Sequence, residues 1–137
     1  MYGLKLKKDH IVEIIMGKRT YESFIVDTSI RGKIGIIDSD SYELIMYLNL
    51  DSVTKTTFEE HILSQVTDSY SKSEANKYIN NLDFTKLKSD AYLYNFKDLD
   101  VLKTPCRIKI LNETQIWVNF DEKLIQEGYE QVSLFDL

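Results

Sequence analysis

Cysteine and proline are almost missing from this sequence: its 137 residues include one of each, Cys106 and Pro105. A single cysteine cannot form an internal disulfide, and no apolar leader pattern stands at the N-terminus, so the composition favours a cytoplasmic protein. No apolar run approaches the roughly 18 residues that a membrane-spanning helix needs, and we therefore expect no membrane association. The formal net charge of −5 argues against a protein that coats duplex nucleic acid with a broad basic face, but it leaves a local basic pocket open.

What the sequence does contain is typical of one globular domain, with 43% hydrophobic and 28% charged residues. A chain of 137 residues is long enough for one core. We predict a single domain over residues 1–128, followed by a tail at residues 129–137. Strands are predicted where apolar and polar residues alternate. These segments are residues 2–7, 20–26, 33–37, 42–53, 91–96, 107–111 and 114–120.

Short helices are predicted between these strands. Asp9 is a candidate N-cap for a first helix, whose buried face carries Ile14. Thr57 and Glu60 match a capping box, in which each side chain satisfies a free backbone amide of the other residue. A further short helix is predicted at residues 73–80. The pattern as a whole predicts an α+β fold, built around a small mixed β-barrel with two or three short helices.

The turn after the first predicted helix brings charged residues together. Gly17 stands where that helix should end, because glycine adopts the left-handed conformation without a steric penalty. Lys18 and Arg19 follow it, and Glu22 then lies on an alternating strand. This arrangement has two interpretations. Arg19 and Glu22 form a structural ion pair at the rim of the barrel, or the turn forms a nucleotide pocket in which the two cations bind phosphate and Glu22 accepts a hydrogen bond from a base.

The same turn resembles the signature of the ASCH domain, a branch of the PUA-like barrels. Residues 17–24 read GKRTYESF, and the family signature reads Gly-x-Lys-x-x-Glu-x-Arg. Gly17 and Glu22 match it. Arg19 stands where the family has lysine, and Phe24 stands where it has arginine. The resemblance extends over roughly residues 2–120 and implies a barrel with a cleft beside the signature helix, in which the family is proposed to hold RNA or a modified nucleoside.

The resemblance also implies the residues of a binding site. Residues 31–39 resemble the second strand of the family, with Ser39 at its serine-containing end. Arg31 lies in a loop where it could replace the missing arginine of the signature. We therefore predict a module that binds RNA, another single strand or a modified nucleotide, with no cofactor. The predicted nucleotide-binding residues are Gly17, Lys18, Arg19, Glu22, Arg31 and Ser39.

Some members of the family are amidohydrolases that cleave 4-acetylcytidine with a lysine, a threonine and a glutamate. In this sequence the lysine falls on Arg19 and the threonine on Glu22. Arginine stays protonated and cannot act as a base or a nucleophile. The catalytic set of the family is therefore incomplete, and we predict no catalytic residues. An amidohydrolase or ribonuclease of the ASCH type remains the weaker alternative to a binding module.

The histidines and acidic residues do not form a recognisable metal motif. His10 and His61 lie far apart in the sequence, with no cysteine or carboxylate at metal-ligand spacing. We interpret His10 as a residue at the start of a helix and His61 as a helix-surface residue, and we predict no metal site. Asp38 and Asp40 are interpreted as part of a solvated turn rather than as magnesium ligands.

The last seven residues, QVSLFDL, carry a second resemblance. They are similar to the bacterial sliding-clamp-binding peptide, whose common form is Gln-Leu-Ser/Asp-Leu-Phe. An extended tail of this type places two apolar anchors in adjacent pockets of its partner. The alternative is that the apolar tail residues fold back onto the barrel. The resemblance implies a bacterial or phage-type interaction factor that binds a host protein such as the clamp through Gln131, Ser133, Leu134 and Phe135.

Overall fold

The computed structural model describes residues 1–122, which form one seven-stranded sheet with four short helices. The α+β class predicted from the sequence is confirmed. Among these residues no helix is long and apolar enough to cross a membrane. In chain order the elements are β1 (Tyr2–Leu6), α1 (Lys8–Ile15), β2 (Tyr21–Phe24), β3 (Gly32–Asp38), β4 (Glu43–Thr57), α2 (Phe58–Ser64), α3 (Lys72–Asn80), α4 (Phe84–Leu87), β5 (Asp90–Arg107), β6 (Ile110–Glu113) and β7 (Trp117–Phe120).

The sheet is mixed, and its strand order is β2-β5-β4-β3-β1-β7-β6. The strands β1 and β3 pair in parallel, and the connection between them contains α1 and β2. A parallel pair needs such a crossover, whereas the antiparallel pairs β3–β4 and β4–β5 need only a short turn or helical connection. The crossover lays α1 over one end of the sheet, where it forms one wall of the cleft described below.

The sheet curls towards a barrel. The rings of Tyr94 on β5 and Trp117 on β7 stack with centroids 6.3 Å apart, although three strands separate β5 from β7 in the sheet. The hydroxyl of Tyr94 donates to the carbonyl of Val26, 2.7 Å away, and so fixes the chain that leaves β2. Burial raises the pKa of Tyr94, which keeps this donor protonated. No backbone pairing joins β2 to β6 in the described part of the chain, so the barrel is only partly closed.

A small apolar cluster forms a second core, separate from the larger cluster that contains Ile11 and Ile14 of α1. Phe120 lies at its centre, beside the buried side chains of Ile37 and Leu44. A Cβ atom on Gly3 would lie 2.7 Å from Cγ1 of Ile37, and one on Gly35 would lie 2.7 Å from Cδ1 of Leu44. These two glycines therefore let β1 and β3 approach the cluster more closely than any other residue would. Each large apolar side chain buried in this way stabilises the fold by about 1.5–3 kcal/mol.

The helix starts differ partly from the expectation. Thr57 caps α2 as predicted, since its hydroxyl accepts a hydrogen bond from the amide of Glu60 at 3.3 Å. The N-cap of α1 is Lys7, which makes no side-chain capping bond, and Asp9 instead lies in the first turn. The fourth helix, α4, is a single turn capped by Asp83, and the sequence pattern did not predict it because one turn is too short to show helical periodicity.

A cleft at the end of the sheet

Three adjoining hollows form one cleft between α1, α2 and the ends of β2 and β7. We call them the tyrosine lobe, of about 480 Å³, the central hollow, of about 290 Å³, and the tryptophan lobe, of about 460 Å³. His61 lines all three, and His10 lines the first two. The tyrosine lobe is named after Tyr70 and Tyr78, and the tryptophan lobe after Trp117.

A buried histidine–glutamate pair lies at the floor of this cleft. Nδ1 of His10 is 2.5 Å from Oε2 of Glu22, and the two residues are 4% and 2% exposed. The second carboxylate oxygen, Oε1, accepts hydrogen bonds from the amide of Ser23 at 3.0 Å and from Nε2 of Gln65 at 3.2 Å. A carboxylate only accepts, so the proton in the short bond belongs to Nδ1 of the imidazole when the ring is neutral.

The other ring nitrogen of His10 is left open to the cleft. Within residues 1–122, Nε2 of His10 has no hydrogen-bond partner. Every fully buried side-chain nitrogen or oxygen in this part of the chain does have a partner, so Nε2 is not fully buried. Nε2 therefore contacts the open space of the tyrosine lobe or central hollow, which the ring lines. A neutral imidazole whose Nδ1–H is held by a carboxylate presents its Nε2 lone pair as a hydrogen-bond acceptor and base.

Local sequence explains how the pair is formed. His10 and Ile14 are four residues apart, so they share the face of α1 that packs on the sheet. Gly17 then ends the helix with a φ of 75° and reverses the chain, so that β2 returns alongside α1. Glu22 lies opposite Tyr94 in the β2–β5 pairing. This return of the chain brings the carboxylate of Glu22 next to the ring of His10.

Arg19 lies behind the pair and is held by protein partners on several sides. It is 7% exposed, although it follows the exposed Lys18. Its Nε donates to Oε1 of Glu13 at 3.1 Å, and its Nη1 donates to the carbonyl of Ser64 at 2.8 Å and lies 3.7 Å from Oε1 of Glu22. The carbonyl of Ser64 belongs to the last turn of α2, where free carbonyls favour a cation. Arg19 thus joins α1, β2 and α2 at the back of the cleft.

Ser23 and His61 form a second polar group beside the pair. The hydroxyl of Ser23 lies 2.7 Å from Nδ1 of His61, accepts from Nε2 of Gln65 at 2.9 Å, and also contacts the hydroxyl of Ser64. Because its oxygen is surrounded by three protein partners, Ser23 orients His61 rather than acting as a free nucleophile. Burial lowers the pKa of His61, although the charge of Glu22 opposes the shift. His61 is therefore a neutral imidazole at pH 7.

Asp9 holds the outer wall of the tyrosine lobe. Its Oδ2 accepts from the hydroxyls of Ser69 at 2.7 Å and Thr67 at 3.0 Å. Burial raises the pKa of Asp9, but these hydrogen bonds and the neighbouring His10 outweigh it and hold the pKa below its usual value. The contact spans 60 residues and fastens the segment after α2 to the first turn of α1.

The cations at the cleft differ in how strongly the protein already engages them. Nζ of Lys5 donates to the carbonyl of Thr114 at 2.9 Å and lies 3.6 Å from the carboxylate of Glu113. Lys7 is exposed, lines both the tyrosine lobe and the central hollow, and has no ion pair with any described residue. Lys7 is therefore the cation most available to a bound anion.

Only some of the residues that the sequence predicts for the nucleotide site line the cleft. Glu22 and Ser39 line the central hollow. Gly17 and Lys18 are exposed on the turn after α1 and do not line the three hollows. Arg31 is also exposed and away from them, and its Nη1 donates to the carbonyls of Thr28 at 2.9 Å and Ile30 at 2.8 Å.

The histidines are the cleft residues that the sequence analysis interpreted differently. His10 is buried in the helix face rather than only marking the helix start, and His61 points into the cleft rather than to the outer surface. The spacing of His10 and Ile14 predicts this burial of His10, because it places a polar residue on the apolar face of the helix, where it needs a buried partner. Among the described residues no group of three histidine, cysteine, aspartate or glutamate side chains is arranged to hold a metal ion.

The fold is of the ASCH type, as comparison with solved structures shows. The crystal structure of ASCH from Zymomonas mobilis has a TM-score of 0.53 and 13% identity, over 95% of this chain and 93% of that chain. Two variants of the Zymomonas protein match similarly. A tyrosine-to-phenylalanine variant has a TM-score of 0.53, 16% identity and coverage of 97% and 96%, and a serine-to-alanine variant has 0.54, 15%, 97% and 94%.

These identities establish the fold and nothing finer. The chain matches no protein-family model and no curated protein sequence. The resemblance to ASCH domains is thus confirmed for the architecture only. The clamp-like peptide at Gln131, Ser133, Leu134 and Phe135, and the predicted domain boundary at residue 128, lie outside the described residues and stay predictions.

Proposed function

We propose that the cleft binds a nucleotide or a short single strand of RNA. The observation that carries this proposal is the composition of the cleft, in which aromatic rings line both lobes. A polar floor lies between them, with Lys7 as a cation that has no ion pair within residues 1–122. Aromatic faces stack on unpaired bases, at about 1–3 kcal/mol per base, and a lysine binds the phosphate that joins them. The ASCH fold agrees with this ligand class.

The polar groups of the floor add recognition of the sugar. His10 presents at Nε2 an acceptor for a ribose hydroxyl, Glu22 holds the ring at Nδ1, and Gln65 donates to Glu22. Ser39 and Tyr42 line the opposite side of the central hollow. Convergent donors and acceptors in a partly apolar hollow are the usual features of a small-ligand site. Duplex RNA does not fit this arrangement, because the bases in a duplex are stacked on each other and not available to the rings.

Charge reversal at Lys7 tests the proposal. The variant Lys7→Glu should weaken the binding of a fluorescein-labelled single-stranded RNA about tenfold or more, because it removes one charge-assisted hydrogen bond and places a carboxylate beside the phosphate. Fluorescence anisotropy titrations at several salt concentrations measure this. The slope of log K against log salt should become shallower by about 0.7 for the lost phosphate contact.

Lys18→Glu is the matched control, since Lys18 is exposed, carries the same charge and lies outside the three hollows. We expect it to retain at least half of the wild-type affinity. Equal losses in the two variants would mean that the RNA responds to the charge of the whole region and not to the cleft, which would overturn the proposed site. RNA binding that survives both reversals would refute the proposed site.

The His10–Glu22 pair favours a second candidate function, cleavage of the bound RNA. Nε2 of His10 can take the proton from a ribose 2′-hydroxyl as that oxygen attacks the adjacent phosphorus. The bond from phosphorus to the 5′-oxygen breaks, and the leaving oxygen takes a proton from water or from a nearby ammonium group such as Lys7. Glu22 holds the ring and stabilises the imidazolium that forms. Arg19 has no part in these steps, in contrast to the lysine of the ASCH amidohydrolases.

The substitution His10→Gln tests this candidate. We expect the rate of cleavage of a single-stranded RNA to fall by about 10²–10⁴, the usual contribution of general acid–base catalysis, while the affinity measured with a 2′-O-methyl RNA changes less than threefold. Glu22→Gln should also lower the cleavage rate. Glu59→Gln, on α2, is the control and should leave the rate unchanged. A cleavage rate unchanged in His10→Gln would assign any activity elsewhere.

A further inference from the structure

The shape of the cleft suggests the length of its ligand. We infer that the cleft holds two successive nucleotides of one strand, with one base in the tyrosine lobe, the next in the tryptophan lobe, and the phosphodiester between them at Lys7 and His10. This inference rests on the proposed function and specifies its ligand. It assigns the site to an oligonucleotide and not to a free nucleoside.

The two lobes are separate but adjoining. Phe58 and His61 line both of them, and their rings lie with centroids 5.6 Å apart at an angle of 33°. These two rings therefore form a divider with a lobe on each side. A single base cannot occupy both lobes, because the divider stands between them.

Each lobe has the size and the walls for one base. Their volumes, about 480 and 460 Å³, are nearly equal and lie in the usual range for small-ligand sites. In the tyrosine lobe Tyr70 and Tyr78 offer ring surface, and Tyr78 is 48% exposed and so available to a ligand. In the tryptophan lobe Phe24 and Trp117 offer ring surface. Trp117 is held in place by stacking on the buried Tyr94.

The region between the lobes is suited to a phosphate. The central hollow is the smallest of the three, at about 290 Å³, and Lys7 lines both it and the tyrosine lobe. His10 also lines both of these hollows. A strand that spans the lobes therefore places the phosphate of its backbone linkage beside the cation, and the adjoining ribose hydroxyl, not a base, beside the imidazole.

The length of the ligand gives a direct test. The probes are adenosine 5′-monophosphate and the 2′-O-methylated dinucleotide and trinucleotide of adenosine, which resist cleavage, each titrated by calorimetry. We expect the dinucleotide to bind between about 5-fold and 150-fold more tightly than the monophosphate, since one more base is stacked. The trinucleotide should add less than about threefold, because both lobes are already filled.

Lobe variants separate the two bases. Tyr78→Ala, at an exposed side chain, should reduce the advantage of the dinucleotide over the monophosphate to less than threefold, because a stacking surface of the tyrosine lobe is lost. Trp117→Leu, in the tryptophan lobe, should also reduce the advantage of the dinucleotide to less than threefold. Its thermal unfolding midpoint is measured to check that the variant is folded. If the monophosphate binds as tightly as the dinucleotide, the two-base inference is overturned while the proposed function stands. If none of the three probes binds, the proposed function fails and this inference fails with it.

Discussion

Arg19→Ala will destabilise the fold by about 3–5 kcal/mol, whereas Lys18→Ala, one residue earlier, will change the free energy of unfolding by less than about 0.5 kcal/mol. Both residues carry the same charge in the same turn, but Arg19 is 7% exposed and Lys18 is exposed. Removing the guanidinium leaves the carboxylate of Glu13 and the carbonyl of Ser64 without their partner. Buried groups that lose a partner carry the full cost of their desolvation.

Urea denaturation followed by circular dichroism measures both variants, because the slope shows whether the unfolding transition keeps the same exposed area. Arg19→Lys should fall between them. Lysine keeps the charge but cannot donate to Glu13 and to the end of α2 at once, since the planar fork of arginine is lost. Similar stabilities for Arg19→Ala and Lys18→Ala would show that the contacts of Arg19 with Glu13 and Ser64 do not hold the cleft together.

This comparison bears directly on the two interpretations of the turn. The sequence placed Arg19 and Glu22 together, and their side chains are indeed 3.7 Å apart. It left open a rim ion pair or a phosphate-binding pair. In the structure both groups are buried, with Glu22 facing the central hollow and Arg19 engaged behind it. A buried pair of this kind depends on its other hydrogen bonds, which a rim pair would not need.

Local patterns predicted the parts of the site that are local. The N-cap at Thr57, the helix end at Gly17 and the strand that carries Glu22 all follow from neighbouring residues. The burial of Arg19 depends on a carbonyl 45 residues later in the chain. The His10–Glu22 contact depends on how tightly Gly17 turns the chain back, and sequence periodicity contains no information on that angle.

The long strand β5 shows the same limit in the fold. Residues 91–96 alternate clearly, but the strand continues through a polar stretch to Arg107 and is 18 residues long. Asp98, with a φ of 56°, would indicate a turn by local criteria. The strand continues because β4 pairs with it along this length, through register shifts that absorb the irregular residues. Pairing with β4, a strand that lies far away in the chain, overrides the local preference for a turn.

Glu22→Ala is the second substitution with a large expected effect, and it tests the pair at the floor of the cleft. Glu22 is 2% exposed and accepts from His10, Ser23 and Gln65. We expect a loss of about 3–5 kcal/mol in the free energy of unfolding, as for other buried pairs that lose one partner. Glu59→Ala is the control, because the one ion pair that Glu59 makes within residues 1–122, with the exposed Lys88, is 3.9 Å long. A rim pair of this type contributes at most about 1 kcal/mol.

Glu22→Gln separates the structural role of Glu22 from its effect on His10. Glutamine has nearly the same shape, so it should cost less stability than alanine, but it presents no anion to Nδ1. Nitrogen NMR of the His10 ring should then change from a single Nδ1–H form in the wild type to a mixture of tautomers in the variant. A ring that keeps the Nδ1–H form without the carboxylate would show that Glu22 does not set its protonation. In that case the Nε2 base of His10 would not depend on Glu22, and Glu22→Gln should leave the cleavage rate unchanged.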